Sequence, residues 1–243
     1  MLIIDRAEVQ ALLDLDQLVD ALGAAMSDLS EGRVSMPGRM AALVPGRDAF
    51  LAAMVSHVPS LGALAAKLMS VFPENAGGPL PTHQGAILVF DPESGEPVAL
   101  MDAAYITAVR TAAGSALATR LLARPDASTL AIIGTGVQAR AHARAIPRVR
   151  AIDDIRVAGR DAAKAAALAD ELARDSGLPA RPAASYEEAV RGADIVCATT
   201  HSPEPVVRRE WLAPGVHVNS VGDNPGGREL DDGTVGVSVG VVE

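Results

Sequence analysis

Thr129-Leu130-Ala131-Ile132-Ile133-Gly134-Thr135-Gly136-Val137-Gln138-Ala139 is the stretch from which the fold of this 243-residue chain is read. An apolar run at 129–133 has the length of a strand. A glycine turn follows, and residues 137–146 return to helical spacing. The turn fits G-x-G-x-x-G/A, the fingerprint of a dinucleotide site when a strand precedes it and a helix follows it. Gly134 permits the tight turn, Gly136 lets the backbone approach a pyrophosphate, and Ala139 keeps the helix near the sheet, whose helix N-terminus then faces the phosphates. Alone the motif is weak, because glycine turns after strands are common; its flanks give it weight.

Downstream, strand-like and helix-like segments alternate: 155–158, an alanine-rich helix at 161–175, 179–182, 186–191, 195–198 and 216–221, with 235–242 read as a last strand. Alternation of this kind predicts an α/β protein with a Rossmann-type, doubly wound parallel sheet. Upstream, residues 105–123 read as one helix stopped by Arg124-Pro125-Asp126, bridging two domains. Residues 1–104 are expected to form an N-terminal α/β domain for substrate binding and dimerisation. It contains a helix at 16–29, brief apolar runs at 50–55 and 63–71, and a hairpin of 85–90 with 98–101. The dinucleotide domain then occupies 124–243.

Composition restricts the partners. A net charge of -9 gives no basic surface suited to nucleic acid. The cluster Arg140, Arg144, Arg148 and Arg150 has the spacing of a solvated helix face. The one cysteine, Cys197, cannot pair within the chain and lies in an apolar run that suits a core. No apolar stretch is long enough to span a bilayer, and Met1-Leu2-Ile3-Ile4-Asp5 turns acidic too soon for a secretory signal, so a cytoplasmic protein is expected. His57, His83, His142, His201 and His217 lack metal-ligand spacing. Gly236-Val237-Ser238-Val239-Gly240 spells a nucleophile elbow, yet no helix, acid and histidine follow it.

Cofactor choice turns on the end of the second strand. An acid about 20 residues past the glycines would read the ribose 2′-hydroxyl of NAD. Here Val157-Ala158-Gly159-Arg160-Asp161 places Arg160 where a cation meets a 2′-phosphate, so NADP(H) is favoured with NAD(H) as the other option. The plainer alternative makes Arg160 a solvated residue and Asp161 an N-cap.

These blocks resemble the ornithine cyclodeaminase/mu-crystallin family, which includes alanine dehydrogenases and cyclic-ketimine reductases. The resemblance runs through residues 107–123 with the core Arg110-Thr111-Ala112-Ala113, and through the glycine turn. It extends to Lys67 with residues 73–75, to Gly192-Ala193-Asp194-Ile195-Val196 with Thr199-Thr200, and to residues 221–231. It implies that Arg39, Lys67 and Arg110 hold a substrate carboxylate with Thr82 nearby. It also implies that Thr111, Gly134, Gly136, Val137, Gln138, Ala139, Arg160, Thr199 and Val221 serve the cofactor. A guanidinium fork and an ammonium suit an amino-acid carboxylate. Lys67 follows the short-residue run 63–66, where partial desolvation favours proton exchange with an amine or imine; a surface lysine with a snorkelling stem is the competing reading. Asp223 stands where the resemblance implies an acidic general base, although Asp-Asn-Pro-Gly is also ordinary turn chemistry.

Two departures shape the expectation. Phe50-Leu51-Ala52-Ala53 stands where the ornithine enzyme has a glutamate for the side-chain amine, which points to a substrate without that amine. Family members continue with further helices beyond the position of Glu243, so a C-terminally truncated member is expected, with the strand 235–242 uncovered. The expected activity is NAD(P)-dependent hydride transfer on a small amino or imino acid, in a homodimer. Cyclodeamination and imine reduction share these steps. A non-catalytic NADP(H)-binding protein of mu-crystallin type, or an inactive fragment, is the competing reading.

Overall fold

The computed structural model describes residues 1–222 and 226–242. The chain divides into two compact units, Met1–Ala108 and Val109–Glu243.

The first unit is built on a six-stranded sheet. Its strands are β1 (Leu2–Ile4), β2 (Met40–Leu43), β3 (Phe50–Val58), β4 (Ala63–Val71), β5 (His83–Phe90) and β6 (Pro97–Asp102), in the order β1-β6-β5-β4-β3-β2. Neighbours are antiparallel except β1, which lies parallel to β6. The hairpin expected from residues 85–90 and 98–101 is the β5–β6 pair. Helix α1 (Arg6–Leu12) starts from a capping box in which Asp5 accepts from the Glu8 backbone and Glu8 reaches back to the Asp5 N–H. Helix α2 (Leu15–Ser30) starts from Asp14, whose side chain accepts from the Gln17 N–H.

Register assigns the strand residues to faces. Ala52 lies opposite Met69, and Met54 opposite Lys67, which in turn lies opposite Ile87. These residues share one face, because directly paired side chains project to the same side. The other face carries Leu51, Val55 and Leu68.

Helix α3 (Ala103–Leu122) leads into the second unit. There a five-stranded, wholly parallel sheet is made by β7 (Thr129–Ile133), β8 (Asp154–Ala158), β9 (Ala180–Pro182), β10 (Ile195–Ala198) and β11 (His217–Ser220). The order β11-β10-β7-β8-β9 reverses direction at β7, as expected for a doubly wound sheet. Helices α4 (Val137–Ala145), α5 (Ala162–Ser176) and α6 (Tyr186–Val190) form the crossovers. Leu130, Ala131, Ile132 and Ile133 are all buried, as are Ile195, Val196, Cys197 and Ala198. Both faces of the central strands are therefore covered, which is why these strands read as unbroken apolar runs. Asp161 caps α5 by accepting from the Lys164 N–H.

Two sequence expectations are corrected. Residues 235–242 are not a strand. Asp231 accepts from the Thr234 N–H and starts helix α7 (Asp232–Val237), and the valines at 235, 237, 239, 241 and 242 are exposed without forming a sheet face. A period-two pattern therefore lost to a local cap. The arginine cluster is not simply a solvated face either. Arg150 donates to the carbonyls of Arg120, Ala123 and Arg124 and so closes the end of α3, while Arg144 pairs with Asp175 at 2.7 Å.

Candidate active site

The second unit collects its candidate cofactor residues at one edge. Gly134 follows β7, Arg160 lies two residues beyond β8, Thr199 follows β10 and Val221 follows β11. All lie at the carboxyl ends of parallel strands, beside the place where the strand order reverses, which is where open α/β sheets bind ligands.

The glycine turn is held from three sides. Gly134 donates to the Ala158 carbonyl at 2.8 Å. It adopts φ +122°, and a Cβ there would fall 2.6 Å from Thr199 Oγ1 and 2.8 Å from the Thr199 carbonyl oxygen. Thr199 is fixed in turn, since its backbone N–H and its Oγ1 both donate to the Ile133 carbonyl, at 2.8 and 2.9 Å. Only glycine fits this position. Arg140 closes the third side, donating to the carbonyls of Thr135 at 2.8 Å and Gly136 at 3.3 Å while pairing with Glu171 at 2.9 Å. That role was hidden in the sequence, because the carbonyls of a turn leave no mark on residue identity.

The turn fits a dinucleotide pyrophosphate. Gly136 is the N-cap of α4 and provides no side-chain cap, and the space where its Cβ would stand is open. The first amides of the helix are thus left for an anion. Gln138 Oε1 is buried without a hydrogen-bond partner in this helix, as a group awaiting a ligand would be. Val137 is exposed and Ala139 buried, so the first turn of α4 offers one side to solvent and the other to the sheet.

Helix α3 is joined to this half by a buried polar seam. His142 directs Nδ1 at the Gln138 carbonyl at 2.8 Å, so Nδ1 carries the proton and Nε2 accepts from Ser115 Oγ at 2.9 Å. Burial pushes the imidazole below its ordinary pKa, consistent with a neutral ring. Thr119 donates to the Ser115 carbonyl and accepts from Asn219 Nδ2 at 3.0 Å. Thr111 lies one helical turn before Ser115, with Arg110 next to it; both are partly buried. Cys197 is buried, and desolvation drives its thiol up to about 12 despite a hydrogen bond from Asn219, so it is a core residue as expected.

In the first unit, Lys67 sits at mid-strand in β4 between Met54 and Ile87. Arg39 directly precedes the Met40–Ala53 pair, and continued register places it opposite Met54, roughly 10 Å from Lys67 by strand spacing. Thr82 is farther away. Its carbonyl accepts from the Phe72 N–H, five positions along from Lys67, or about 17 Å at the usual rise. Its Oγ1 lies 3.0 Å from His83 Nδ1. Asp223 lies outside the described residues. No group of histidine, cysteine and acidic residues among the described residues could hold a metal ion, and no described helix is long and apolar enough to cross a membrane.

The sequence model of the ornithine cyclodeaminase/mu-crystallin family matches residues 1–243. The chain belongs to that family. Ketimine reductase mu-crystallin of Mus musculus is 36% identical over 219 residues, covering 88% of this chain and 69% of the relative. Solved structures share the fold of this chain. The Δ1-pyrroline-2-carboxylate reductase of Thermococcus litoralis, solved with NADH and L-proline, superposes with a TM-score of 0.91 at 36% identity, covering 97% of this chain and 73% of the other. An archaeal alanine dehydrogenase dimer with bound NAD gives 0.87 at 33% identity, covering 95% and 70%. The mu-crystallin relative is itself named a ketimine reductase, which removes the ground on which that resemblance suggested a non-catalytic protein.

Proposed function

We propose that this family member is an NAD(P)H-dependent reductase of small, apolar or cyclic α-imino acids. The observation that carries the reading is the glycine turn, closed under Thr199 at the switch point of a parallel sheet and followed by an uncapped helix start. The named relatives act in the same sense: one is a ketimine reductase and one a pyrroline-2-carboxylate reductase. When bound, the nicotinamide supplies a hydride, and the protein's task is orientation and proton supply. Arg39, Lys67 and Arg110 are assigned to the substrate carboxylate with Thr82 as an auxiliary, Lys67 also to proton delivery at nitrogen, and Asp223 to the general base of the reverse reaction. Thr111, Gly134, Gly136, Val137, Gln138, Ala139, Arg160, Thr199 and Val221 are assigned to the cofactor.

The neighbours of Lys67 favour an apolar substrate. Ala52 is buried on the same sheet face as Met54, Met69 and Ile87, and none of these offers an acid to a side-chain amine. NADPH is the preferred donor in this proposal because Arg160 is exposed at the end of β8 with Asp161 committed to capping α5. The working unit is a homodimer, formed through the open sheet face on which Leu51, Val55 and Leu68 are 47%, 43% and 46% exposed.

The test is a substrate panel followed by nicotinamide absorbance: cyclic Δ1- and Δ2-imines, pyruvate with ammonia, and ornithine, with ammonia release measured in parallel. Oxidation of NADPH by a cyclic imino acid, with little turnover of ornithine, is the expected result. Proline and ammonia formed efficiently from ornithine would instead identify a cyclodeaminase.

A further inference from the structure

The carboxylate of Glu229 is buried, and five donors among the described residues converge on it. Oε1 accepts from the Thr200 N–H at 2.5 Å and from Thr200 Oγ1 at 2.8 Å. Oε2 accepts from Ser220 Oγ at 3.0 Å and from the N–H groups of Val221 at 3.0 Å and Gly222 at 2.8 Å. Glu229 itself is only 3% exposed. Its backbone is engaged as well, the carbonyl accepting from Val206 and Val207. The two strand ends approach so closely that a Cβ at Gly222 would lie 2.1 Å from the Thr200 carbonyl oxygen and 2.5 Å from Glu229 Cδ. One side chain thus ties the segment after β10 to the segment after β11.

Those two segments carry Thr199 and Val221. A dinucleotide on this sheet has its pyrophosphate at the Gly134 turn and its adenosine half toward Arg160 on the β8 side. The nicotinamide half must then extend the other way, over the ends of β10 and β11. We infer that Glu229 is a positioning residue for hydride transfer, its carboxylate holding the ends of β10 and β11 in the arrangement that receives the nicotinamide ring. The inference rests on the cofactor reading given above. A carboxylate suits the task because all five partners donate. An amide would turn an NH2 toward backbone N–H groups that cannot reverse their role. Hydrogen bonds to a charged group in a dry site are strong, and leaving backbone donors unmatched is costly.

The 243-residue chain and its Glu229→Gln variant would be titrated with NADPH and, separately, with 2′-phospho-ADP-ribose, which lacks the nicotinamide. Steady-state kcat and KM would be measured on the best imino acid. The variant should lose roughly ten-fold or more in NADPH affinity and in kcat, the equivalent of one charged hydrogen bond. Its affinity for 2′-phospho-ADP-ribose should stay within about two-fold, since the glycine turn is untouched. Equal loss for both ligands would mean a general structural defect and would overturn the inference, as would unchanged NADPH affinity and kcat. A wild-type chain that binds neither ligand overturns the cofactor reading and the inference with it. Should Glu229→Gln fail to fold, Ser220→Ala decides. It removes one donor and no charge, and the same split between the two ligands is expected at roughly two- to five-fold, with absence of that split counting against the proposal.

Discussion

Gly134 and Arg160 are proposed to act on a bound nucleotide in two different ways. Gly134 acts through space and backbone angle: φ +122° is open to glycine, and any Cβ meets Thr199 within 2.6 Å. Gly134→Ala should therefore displace the turn and lower dinucleotide affinity by roughly a hundred-fold, since strain and clash together amount to about 3 kcal/mol. Nicotinamide fluorescence reads this directly, and an unaltered affinity would show that the turn does not receive the phosphates. Arg160, proposed for the 2′-phosphate, would act through charge from an exposed position. Arg160→Asp should reverse the preference from NADPH to NADH, with NADPH affinity falling by roughly ten- to hundred-fold, the worth of one charge-assisted contact to phosphate. Quenching of Trp211, the chain's one tryptophan, offers a second signal for the same titration. Equal affinities for both cofactors in the wild type would leave Arg160 as a solvated residue.

Strand ends in the second unit are tied at both edges of the sheet by carboxylates that accept backbone N–H groups, with Thr199 joining them at one edge. At the carboxyl ends, the ties are Thr199 and Glu229 beside the ligand edge. At the amino ends the tie is Asp194, which accepts from the N–H groups of Ser128 and Thr129 at 3.0 and 3.1 Å and pairs with Arg124. Burial alone would raise the Asp194 pKa. The two backbone donors and the Arg124 guanidinium outweigh it, so the carboxyl lies below its ordinary value of 3.8. A depressed carboxylate stabilises the fold above its unfolded pKa, and that contribution disappears as pH falls from about 3.8 through the lower folded value. Asp194→Asn should cost about 1–3 kcal/mol at neutral pH and flatten the loss of thermal midpoint below about pH 4. Parallel unfolding curves for variant and wild type across that range would show that Asp194 contributes nothing to acid sensitivity.

On the largest scale, one sheet face of the first unit exposes three large apolar side chains. Leu51, Val55 and Leu68 lie on adjacent long strands, and each is more than 40% exposed. A contiguous apolar area of that kind is unusual on a monomer and suits a second copy of the same surface. Leu68→Glu would place two like charges against each other across a two-fold axis. It should convert a dimer to a monomer by size exclusion with light scattering while leaving dinucleotide binding in the second unit unchanged. A wild-type monomer at micromolar concentration would refute the dimer, and a variant that remains dimeric would move the interface elsewhere.

Much of this could be read in order along the chain. Buried parallel strands are continuous apolar runs, so residues 129–133 and 195–198 declare themselves, and Gly134 announces the turn because no other residue adopts its backbone angle beside Thr199. The N-cap at Asp161 is equally local. Residues 235–242 misled because alternating valine and glycine imitates a strand, whereas the cap at Asp231 starts a helix. Glu229 lies in the matched stretch 221–231, but its own role left no sign in the local sequence. Its carboxylate meets Thr200 across 29 residues of sequence, and it owes its importance to two strand ends that become neighbours only when the sheet assembles in the order β11-β10-β7-β8-β9. Arg140 is of the same kind, since the carbonyls it holds are common to every residue type. Identity and short-range spacing thus specified the elements and the glycine turn. The ties among strand ends depended on which backbone donors and acceptors folding brought within about 3 Å of one another, a matter of distance in space that linear order does not encode.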